Sequence, residues 1–459
     1  MRKMRPLLCA LLLTMTALPA WAQYGFQFEV PDQGAVADLS QITSFHNLVI
    51  NTGSQEDTYS VTVVKNMPPD WVGSLCQGTL CYPPFVTEIT FTLAAGDTTD
   101  LLMDITPLTD PGSGTAILTL SSQGDPALSV TKEFTVVTPG LDVLLIDGDG
   151  GALYETWYQE ALGDLGSTYG HWDRVAVGGL DTTELASFPT VVWLCGDNPG
   201  AMTPDDLASL RSYLRQGGDL VLSGQNLARD FCSPGGAWYS SAVRAEFNTT
   251  LGADFAADDA GDDTAVGVAG DPVAAGLNLT LSGGSGAGQN TSPDEILPVT
   301  AGTVSIRYAS GGGAAVTSSY NLGRSYFMAF GFEDISSATT RQTLLNNIMT
   351  WLSLSVSASP DQLPALFAAA PRAAPNPFNP RTHIRFTVGG ERVVPGSVSV
   401  YDLRGRLIRN LQVGSFSPGP VDLTWDGKDD AGAVTGAGLY LARVVLDGQA
   451  RTLKLTLAK

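Results

Sequence analysis

The hydrophobic pattern of the chain changes near residue 139 and again near residue 355, and each pattern requires a different kind of fold. Residues 24–138 alternate apolar and polar side chains in stretches such as DTYSVTVVKN and GTAILTLSS, separated by Gly, Pro, Asp or Asn. A period of two with frequent turns predicts the short strands of a β-sandwich. After residue 139 this alternation is replaced by a continuous apolar run, LDVLLIDGD. Such a run predicts a strand that is covered on both faces.

The middle region, residues 139–355, predicts a three-layer α/β domain. A helical stretch, LYETWYQEALGDLG, follows the first apolar run, and the strand TVVWLCGD, the helix TPDDLASLRSYLRQGG and the strand DLVLSG come next. Thr203 is a good N-cap for the second helix, and Pro204 suits its first position. Strands and helices that alternate at this spacing predict a mostly parallel sheet with helices on both faces.

The last part of the chain returns to the β pattern. Residues 356–372 are rich in Ala, Pro and Ser and predict a linker, whereas residues 373–459 contain alternating stretches such as THIRFTV. A chain of 459 residues is too long for one core. We therefore expect a multidomain protein, with a β-sandwich at 23–138, the α/β domain at 139–355 and a second β-sandwich at 373–459.

The first 22 residues have the composition of a secretory signal peptide. Basic residues precede an apolar run, Leu7–Leu18, and the small-x-small motif Ala20–Ala22 follows it. The run is too short to span a bilayer, and no later run reaches about 20 apolar residues. We therefore expect export through the periplasm, no transmembrane segment in the mature chain, and a secreted or outer-membrane surface location.

The charge of the chain excludes one class of partner. The chain has 25 basic and 46 acidic residues, and removing the three basic residues of the signal segment leaves 22 against 46, a net charge of −24. Such a surface repels phosphate backbones and attracts divalent cations. We expect no nucleic-acid partner.

Cysteine spacing predicts one local disulfide. Cys9 is removed with the signal segment, and Cys76 and Cys81 bracket a single loop, CQGTLC. In an oxidising compartment these two residues are expected to form a disulfide. Cys195 and Cys232 then either form a second bridge or remain buried thiols, and a reactive Cys195 thiol is the competing interpretation.

The C-terminal region resembles a known module. The stretches PNPFNPRTHIRF, VSVYDLRGRLIRNL, LTWDGKDDAGAVTGAGLYLARV and TLKLTLAK stand in the order found in flagellar hook-capping (FlgD) immunoglobulin-like domains. These domains overlap with the type A C-terminal sorting domains of the type IX secretion system. The resemblance implies an immunoglobulin-like β-sandwich at 373–459 and the outer-membrane secretion machinery as a partner. An ordinary β-module without an export role is the alternative.

The middle region resembles the glutamine-amidotransferase-like, flavodoxin-like modules of secreted bacterial proteins, through LLIDGDGGALYETWYQEAL and VVWLCGD. Members with activity carry a nucleophile at a strand-to-helix corner. Here that corner reads Ser223-Gly224-Gln225-Asn226, which places an amide side chain at the nucleophile position. The base expected after the last strand is absent from GFEDI, and His171 is the only histidine of the region. We therefore assign no catalytic residue.

Polar side chains follow four predicted strands and are expected to meet at the carboxyl edge of the sheet. The candidate ligand or cation site consists of Asp147, Asp149, Asp197, Gln225, Asn226, Glu333 and Asp334. Oxygen ligands of this kind suit calcium or magnesium, so Ca²⁺ is the one cofactor we consider. The competing interpretation is a set of solvated acidic turns.

These features favour a secreted or cell-surface bacterial protein with a non-catalytic α/β binding or scaffold module and a C-terminal sorting domain. A cell-surface polysaccharide or protein would be the bound partner. The alternative is a secreted hydrolase (a peptidase, esterase or glycosidase) that uses Asp147, Asp149 and Glu333 at the carboxyl edge.

Overall fold

A computed structural model describes most of the chain after residue 22. The described residues are 23–198, 200–353, 367–389, 393–402, 406–446 and 449–458. The predicted signal segment, and the part of the predicted linker before residue 367, lie outside them. The chain divides into two compact units, Met1–Leu354 and Ser355–Lys459.

The first part of the N-terminal unit consists of strands. These are β1 (Phe26–Glu29), β2 (Gly34–Val36), β3 (Thr43–Asn51), β4 (Asp57–Asn66), β5 (Val72–Gln77), β6 (Leu80–Cys81), β7 (Glu88–Leu93), β8 (Thr98–Thr106), β9 (Ser113–Ser122) and β10 (Ser129–Val137). They form two sheets with the orders β1-β3-β8-β5-β6 and β2-β10-β9-β4-β7. Burial alternates along these strands as the sequence pattern predicts. In β4, for example, Tyr59, Val61 and Val63 are buried while the residues between them are more exposed.

Of the four cysteines in the described residues, two form a disulfide and two are free thiols. Cys76 and Cys81 face each other across the β5–β6 hairpin and form a disulfide. Cys195 and Cys232 are free and buried, so the second bridge is not formed. Cys195 packs beneath Gly224, whereas the sulfur of Cys232 lies 3.5 Å from Oδ1 of Asn248. Both thiols are therefore part of the packed core.

The second part of the N-terminal unit mixes helices and strands. It contains β11 (Val143–Asp147), α1 (Glu155–Asp164), β12 (Tyr169–Asp173), α2 (Arg174–Val177), α3 (Thr182–Leu185), β13 (Thr190–Leu194), α4 (Pro204–Arg215), β14 (Asp219–Ser223), α5 (Leu227–Cys232), α6 (Ser241–Leu251), β15 (Ala253–Ala257), β16 (Thr264–Gly267), β17 (Asn278–Thr280), β18 (Glu295–Pro298), β19 (Thr303–Tyr308), β20 (Gly313–Tyr320), β21 (Gly323–Met328), a 3-10 turn (Phe332–Asp334) and α7 (Ala338–Ser353). Thr203 caps α4 as predicted and accepts a hydrogen bond from the backbone N–H of Asp206.

The central sheet is mixed rather than mostly parallel. Parallel pairings join β12, β11, β13, β14 and β21 in that order, whereas β15 to β20 pair antiparallel. β20 also pairs antiparallel with β21. The expectation of a mostly parallel sheet was wrong for β15 to β20, residues 253–320. In that segment strand follows strand without an intervening helix, and the connections β19–β20 and β20–β21 are too short for the crossover that parallel pairing requires.

Both faces of the central sheet are covered. Leu144 and Ile146 of β11 pack in one apolar cluster with residues of α4, α5 and α6. Val143 and Leu145 pack in a second cluster with residues of α1 and α7. Alternate residues of a strand point to opposite faces, which explains why the run LDVLLID is apolar throughout. Among the described helices, none combines the length and the apolar character that crossing a membrane requires.

The C-terminal unit consists of strands in the described residues. These are β22 (Phe367–Ala374), β23 (Thr382–Val388), β24 (Val394–Asp402), β25 (Leu407–Phe416), β26 (Gly419–Trp425), β27 (Gly438–Leu446) and β28 (Gln449–Leu457). They form the sheets β22-β23-β26 and β25-β24-β27-β28 around a core that contains Phe378, Trp425 and Tyr440. Residues 367–372 were expected to be linker, but they belong to β22, because that strand pairs antiparallel with β23.

Candidate functional site

The carboxyl ends of four parallel strands lie side by side in the central sheet. Asp147 of β11 is opposite Leu194 of β13, Leu194 is opposite Ser223 of β14, and Ser223 is opposite Met328 of β21. The residues that follow each strand are therefore brought to one edge, as the sequence predicted for parallel neighbours. Within that edge the predicted residues separate into three groups.

The first group surrounds the start of α1. Oδ1 of Asp149 accepts hydrogen bonds from the backbone N–H groups of Gly151 and Ala152 at 2.7 and 2.8 Å, and its Oδ2 accepts one from Tyr154 at 2.8 Å. Three backbone N–H donors thus hold this carboxyl group in one orientation. Asp149 therefore has a fixed position at the beginning of the helix, where the helix dipole also favours negative charge.

Asp147 lies between Asp149 and His171. Its Oδ1 accepts the backbone N–H of Asp149 at 3.0 Å, and its Oδ2 is 3.5 Å from Nε2 of His171. Burial raises the pKa of Asp147, and the neighbouring His171 opposes that rise. Burial alone would lower the pKa of His171, but the carboxylates of Asp147, Glu155 and Asp173 together outweigh it, so the pKa of His171 is raised. The two groups thus stabilise each other's charged forms.

Sequence reasoning missed Glu155, which completes this group. One carboxylate oxygen from each of Asp147, Asp149 and Glu155 lies within 4.8 Å of the other two. Burial raises the pKa of Glu155, and the charges of Asp147 and Asp149 add to the rise. The sequence feature that could have identified Glu155 is its position in the first helical turn after DGDGG, at the positive end of the helix dipole. Glu155 lies in a helix rather than directly after a strand, so the rule that residues after parallel strands meet at one edge does not identify it.

The second group is formed by Asp197, Glu333 and Asp334 around Tyr154. The hydroxyl of Tyr154 is 3.4 Å from Oδ1 of Asp197. Burial raises the pKa of Tyr154, and the charges of Asp197, Glu333 and Asp334 raise it further. Glu333 and Asp334 are both 0 % exposed, because the 3-10 turn that follows β21 carries them into the interior.

The two buried carboxyl groups of the 3-10 turn favour their protonated forms. Oε2 of Glu333 accepts a hydrogen bond from the hydroxyl of Tyr158 at 2.8 Å. Burial, and then the charge of Asp334, raises the pKa of Glu333 to about 8. Burial also raises the pKa of Asp334 to about 6, although its Oδ1 accepts the backbone N–H of Gln289 at 2.6 Å.

The third group, Gln225 and Asn226, is occupied by structural contacts. Oε1 of Gln225 accepts the backbone N–H groups of Thr291 and Ser292 at 2.8 and 2.7 Å, and its amide nitrogen donates to the carbonyl of Gln289. Asn226 has a left-handed backbone, with φ of 62°, at the corner between β14 and α5. These amides hold the segment 289–292 against the corner, so the structure does not present them as free ligands.

Neither hydroxyl nor thiol at the edge is arranged as a nucleophile. The Ser223 hydroxyl donates to the carbonyl of Phe330 at 2.9 Å and accepts the backbone N–H of Phe332 at 2.8 Å. The Cys195 thiol is fully buried, and burial raises its pKa well above the usual range. In the part of the chain that the structure describes, the ring of His171 faces Asp147 and makes no hydrogen bond to a hydroxyl or thiol.

The fold is that of a mostly β, multidomain protein with several sheets and an immunoglobulin-like C-terminal domain. Residues 384–449 match the family model described as the FlgD Ig-like domain. This match covers the C-terminal domain alone. The resemblance noted for the C-terminal motifs is confirmed for that domain, whereas no family model supports the amidotransferase resemblance of the central region. Among curated proteins, none matches the sequence.

Solved structures with partial similarity include the N-terminal domain of PorA, at 16% identity and a TM-score of 0.20, covering 25% of this chain and 98% of that one. The exo-β-1,4-mannosidase Op5Man5 from Opitutaceae bacterium strain TAV5 is 11% identical with a TM-score of 0.30, covering 46% of this chain and 35% of the enzyme. A family 123 glycoside hydrolase from Clostridium perfringens is 7% identical with a TM-score of 0.20, and the match covers 43% of this chain and 48% of the hydrolase. The chain spans about a third and about half of these two enzymes, and similarity at this level assigns no function.

Proposed function

We propose that this chain is a secreted or cell-surface bacterial protein. Its central domain, 139–355, binds or scaffolds without catalysis, and its C-terminal domain, 373–459, directs export. Residues 1–22 act as the signal peptide, and residues 23–138 form a separate β-sandwich. The central domain is a degenerate amidotransferase-like module of the three-layer α/β type. Its parallel strands, with α1 and α7 on one face and α4 to α6 on the other, support that assignment.

The observation that carries the non-catalytic role is the corner after β14. An acyl-transfer nucleophile needs a base within hydrogen-bonding reach. The corner carries the amides Gln225 and Asn226, and both amides hold neighbouring segments. The hydroxyl of Ser223 already donates one hydrogen bond and accepts another, so it has no free proton for a base to accept.

The export role is supported by the family match at 384–449 and by the order of the C-terminal motifs. The outer-membrane secretion machinery would then be the partner that recognises residues 373–459. The strongly acidic surface favours a partner other than nucleic acid, such as a cell-surface polysaccharide or protein.

Deletion of residues 373–459 in the native host tests the export role. We expect the truncated protein to accumulate in the periplasm, while the full chain reaches the outer surface or the medium; cell fractionation with immunoblotting measures both. A full chain with the exposed-residue change Asp164→Asn is the matched control and should be exported normally. Protease resistance of the accumulated truncation verifies that it is folded. Export of the folded truncation at the normal level would reject the sorting role.

One observation favours the alternative hydrolase function. Glu333 is largely protonated at neutral pH, which is the state that a general acid requires. However, it is 0 % exposed, so a substrate could reach it only after the surrounding segments move. The mature chain, residues 23–459, should show no turnover when screened against peptide, ester and glycoside substrates. Turnover that Glu333→Gln or Asp147→Asn abolishes would establish the hydrolase and reject the non-catalytic role.

A further inference from the structure

We propose that Asp147, Asp149, Glu155 and His171 bind one divalent transition-metal ion, such as Zn²⁺ or Mn²⁺, beside the first turn of α1. The inference deepens the binding role proposed for the central domain and rests on it. It also changes the expected ion, because calcium and magnesium were inferred from oxygen ligands alone.

The first argument is the convergence of three buried carboxyl groups. One oxygen from each of Asp147, Asp149 and Glu155 lies within 4.8 Å of the others, and the three residues are 5 %, 5 % and 9 % exposed. Carboxylates that are removed from water at this separation repel each other strongly. A divalent cation among them offsets both the repulsion and the loss of hydration.

The second argument is an unsatisfied oxygen. Oε2 of Glu155 is buried and has no hydrogen-bond partner among the described residues. Glu155 faces the cluster, because one of its ligand oxygens lies within 4.8 Å of an oxygen of Asp147 and of Asp149. A buried acceptor without a partner is costly, and most such atoms in native proteins are satisfied. A bond to a metal ion would satisfy this oxygen without any other change in the fold.

The third argument is the position of the imidazole. Nε2 of His171 is 3.5 Å from Oδ2 of Asp147, and it has no hydrogen-bond partner among the described residues. That distance exceeds the usual range of an N–H···O hydrogen bond, roughly 2.7–3.2 Å. Two ligands at about 2.0–2.1 Å from one tetrahedral ion are separated by about 3.3 Å. The Asp147–His171 pair is therefore spaced as two ligands of one ion would be, whereas the residues whose ligand atoms all lie within 4.8 Å of one another are Asp147, Asp149 and Glu155, without His171.

The mixture of ligands selects the class of metal. Carboxylate oxygens alone suit calcium or magnesium, whereas an added imidazole suits zinc and other first-row ions. Asp149 is held in place by three backbone N–H groups, so it is already oriented for binding. The side chain of His171 is 27% exposed and marks the side from which an ion can enter.

The competing explanation is that a protonated His171 neutralises the carboxylates without a metal. Titration of the chelator-treated mature chain, residues 23–459, with ZnCl₂, MnCl₂, CaCl₂ and MgCl₂ separately in a calorimeter distinguishes the two. We expect one zinc or manganese site. Glu155→Gln should raise its Kd at least about tenfold, because loss of even an outer-shell partner of a metal ligand typically costs about 10–100-fold in affinity. His171→Gln should weaken zinc at least about tenfold and leave calcium and magnesium unchanged.

Asp164→Asn is the matched control, because Asp164 is an exposed acid at the end of the same helix. It should bind the metals as the unchanged protein does, which separates the proposed site from adventitious binding at surface acids and at His46 or His383. Far-UV circular dichroism and urea unfolding check that every variant is folded. Absence of saturable zinc or manganese binding, or equal binding by the Glu155→Gln variant, would overturn the proposal. Wild-type zinc affinity in the His171→Gln variant would remove His171 from the site and overturn the proposed choice of metal.

These outcomes are separable from those of the proposed function. If no metal binds, the metal site is rejected. The export experiment still decides the sorting role of residues 373–459, and the substrate screen still decides whether the central domain is non-catalytic. If metal binds and also switches on a hydrolysis that Glu155→Gln abolishes, the metal site stands and the non-catalytic role is rejected.

Discussion

Replacing Glu333 with Gln should make the protein more stable at alkaline pH. Glu333 is completely buried, and Oε2 accepts a hydrogen bond from the hydroxyl of Tyr158. Its other oxygen, Oε1, has no hydrogen-bond partner in the described part of the chain. Burial, and then the charge of Asp334, raises its pKa to about 8, from an ordinary value of 4.5. Glutamine has nearly the same shape but cannot ionise.

The size of the effect follows from the two pKa values. Below pH 4.5 Glu333 is protonated in both the folded and the unfolded chain, so its contribution to stability is fully present. Between pH 4.5 and about 8 the unfolded chain loses this proton while the folded chain keeps it. The free energy of unfolding then falls by about 1.4 kcal/mol per pH unit. From pH 5 to pH 8 the loss is on the order of 4 kcal/mol.

Two other buried carboxyl groups also have raised pKa values and should likewise lower the free energy of unfolding as the pH rises. Burial raises the pKa of Asp334 to about 6 and that of Asp294 to about 7. The stability of the unchanged protein should therefore fall steadily from pH 5 to pH 8. The Glu333→Gln variant removes only the contribution of Glu333, so its curve should fall less steeply.

Urea unfolding of the mature chain at pH 5, 7 and 8.5, with a chelator present, measures this difference. At pH 5 the variant should be within about 1 kcal/mol of the unchanged protein, because both side chains are neutral. At pH 8.5 the variant should be more stable by several kcal/mol. Asp164→Asn is the control, and its curve should run parallel to that of the unchanged protein. Parallel curves for Glu333→Gln and the unchanged protein would show that Glu333 is ionised when folded, and the reasoning from burial would be refuted.

Two further predictions concern the core and the corner. Ellman's reagent should label no thiol in the native mature chain and two in denaturant, because Cys195 and Cys232 are buried and free; zero labelled thiols in denaturant would mean that they are bridged after all. Asn226 has a positive φ, which costs a residue with a Cβ about 1–2 kcal/mol unless, as in Asn, its side chain bonds locally. Asn226→Ala should therefore be about 1 kcal/mol less stable in urea than Asn226→Gly. Equal stabilities would contradict the left-handed corner.

The carboxyl edge illustrates how far sequence reasoning could reach. Apolar runs that alternate with helices predicted parallel strands, and parallel strands bring the residues after them to one edge. This predicted that Asp147, Asp149 and Asp197 lie at one edge of the sheet; the structure groups Asp147 with Asp149 and places Asp197 beside the hydroxyl of Tyr154. Which of them share a site depends on side-chain directions, and these depend on packing. Glu155 joins Asp147 and Asp149 from a helix, whereas Gln225 turns away to hold the segment 289–292.

The chain's periodicity determined its local structure. Period-two stretches became strands, and the run after residue 139 became a strand buried on both faces, because burial of apolar side chains requires those periods. The loop between Cys76 and Cys81 was short enough for spacing alone to predict its disulfide.

Only the tertiary structure decided the mixed order of the central sheet, the separation of Cys195 from Cys232, and the raised pKa values of Glu333 and His171. Each of these depends on groups that are distant in sequence and close in space. Desolvation and charge interactions act over a few ångströms between such groups, and the order of residues along the chain does not specify those distances.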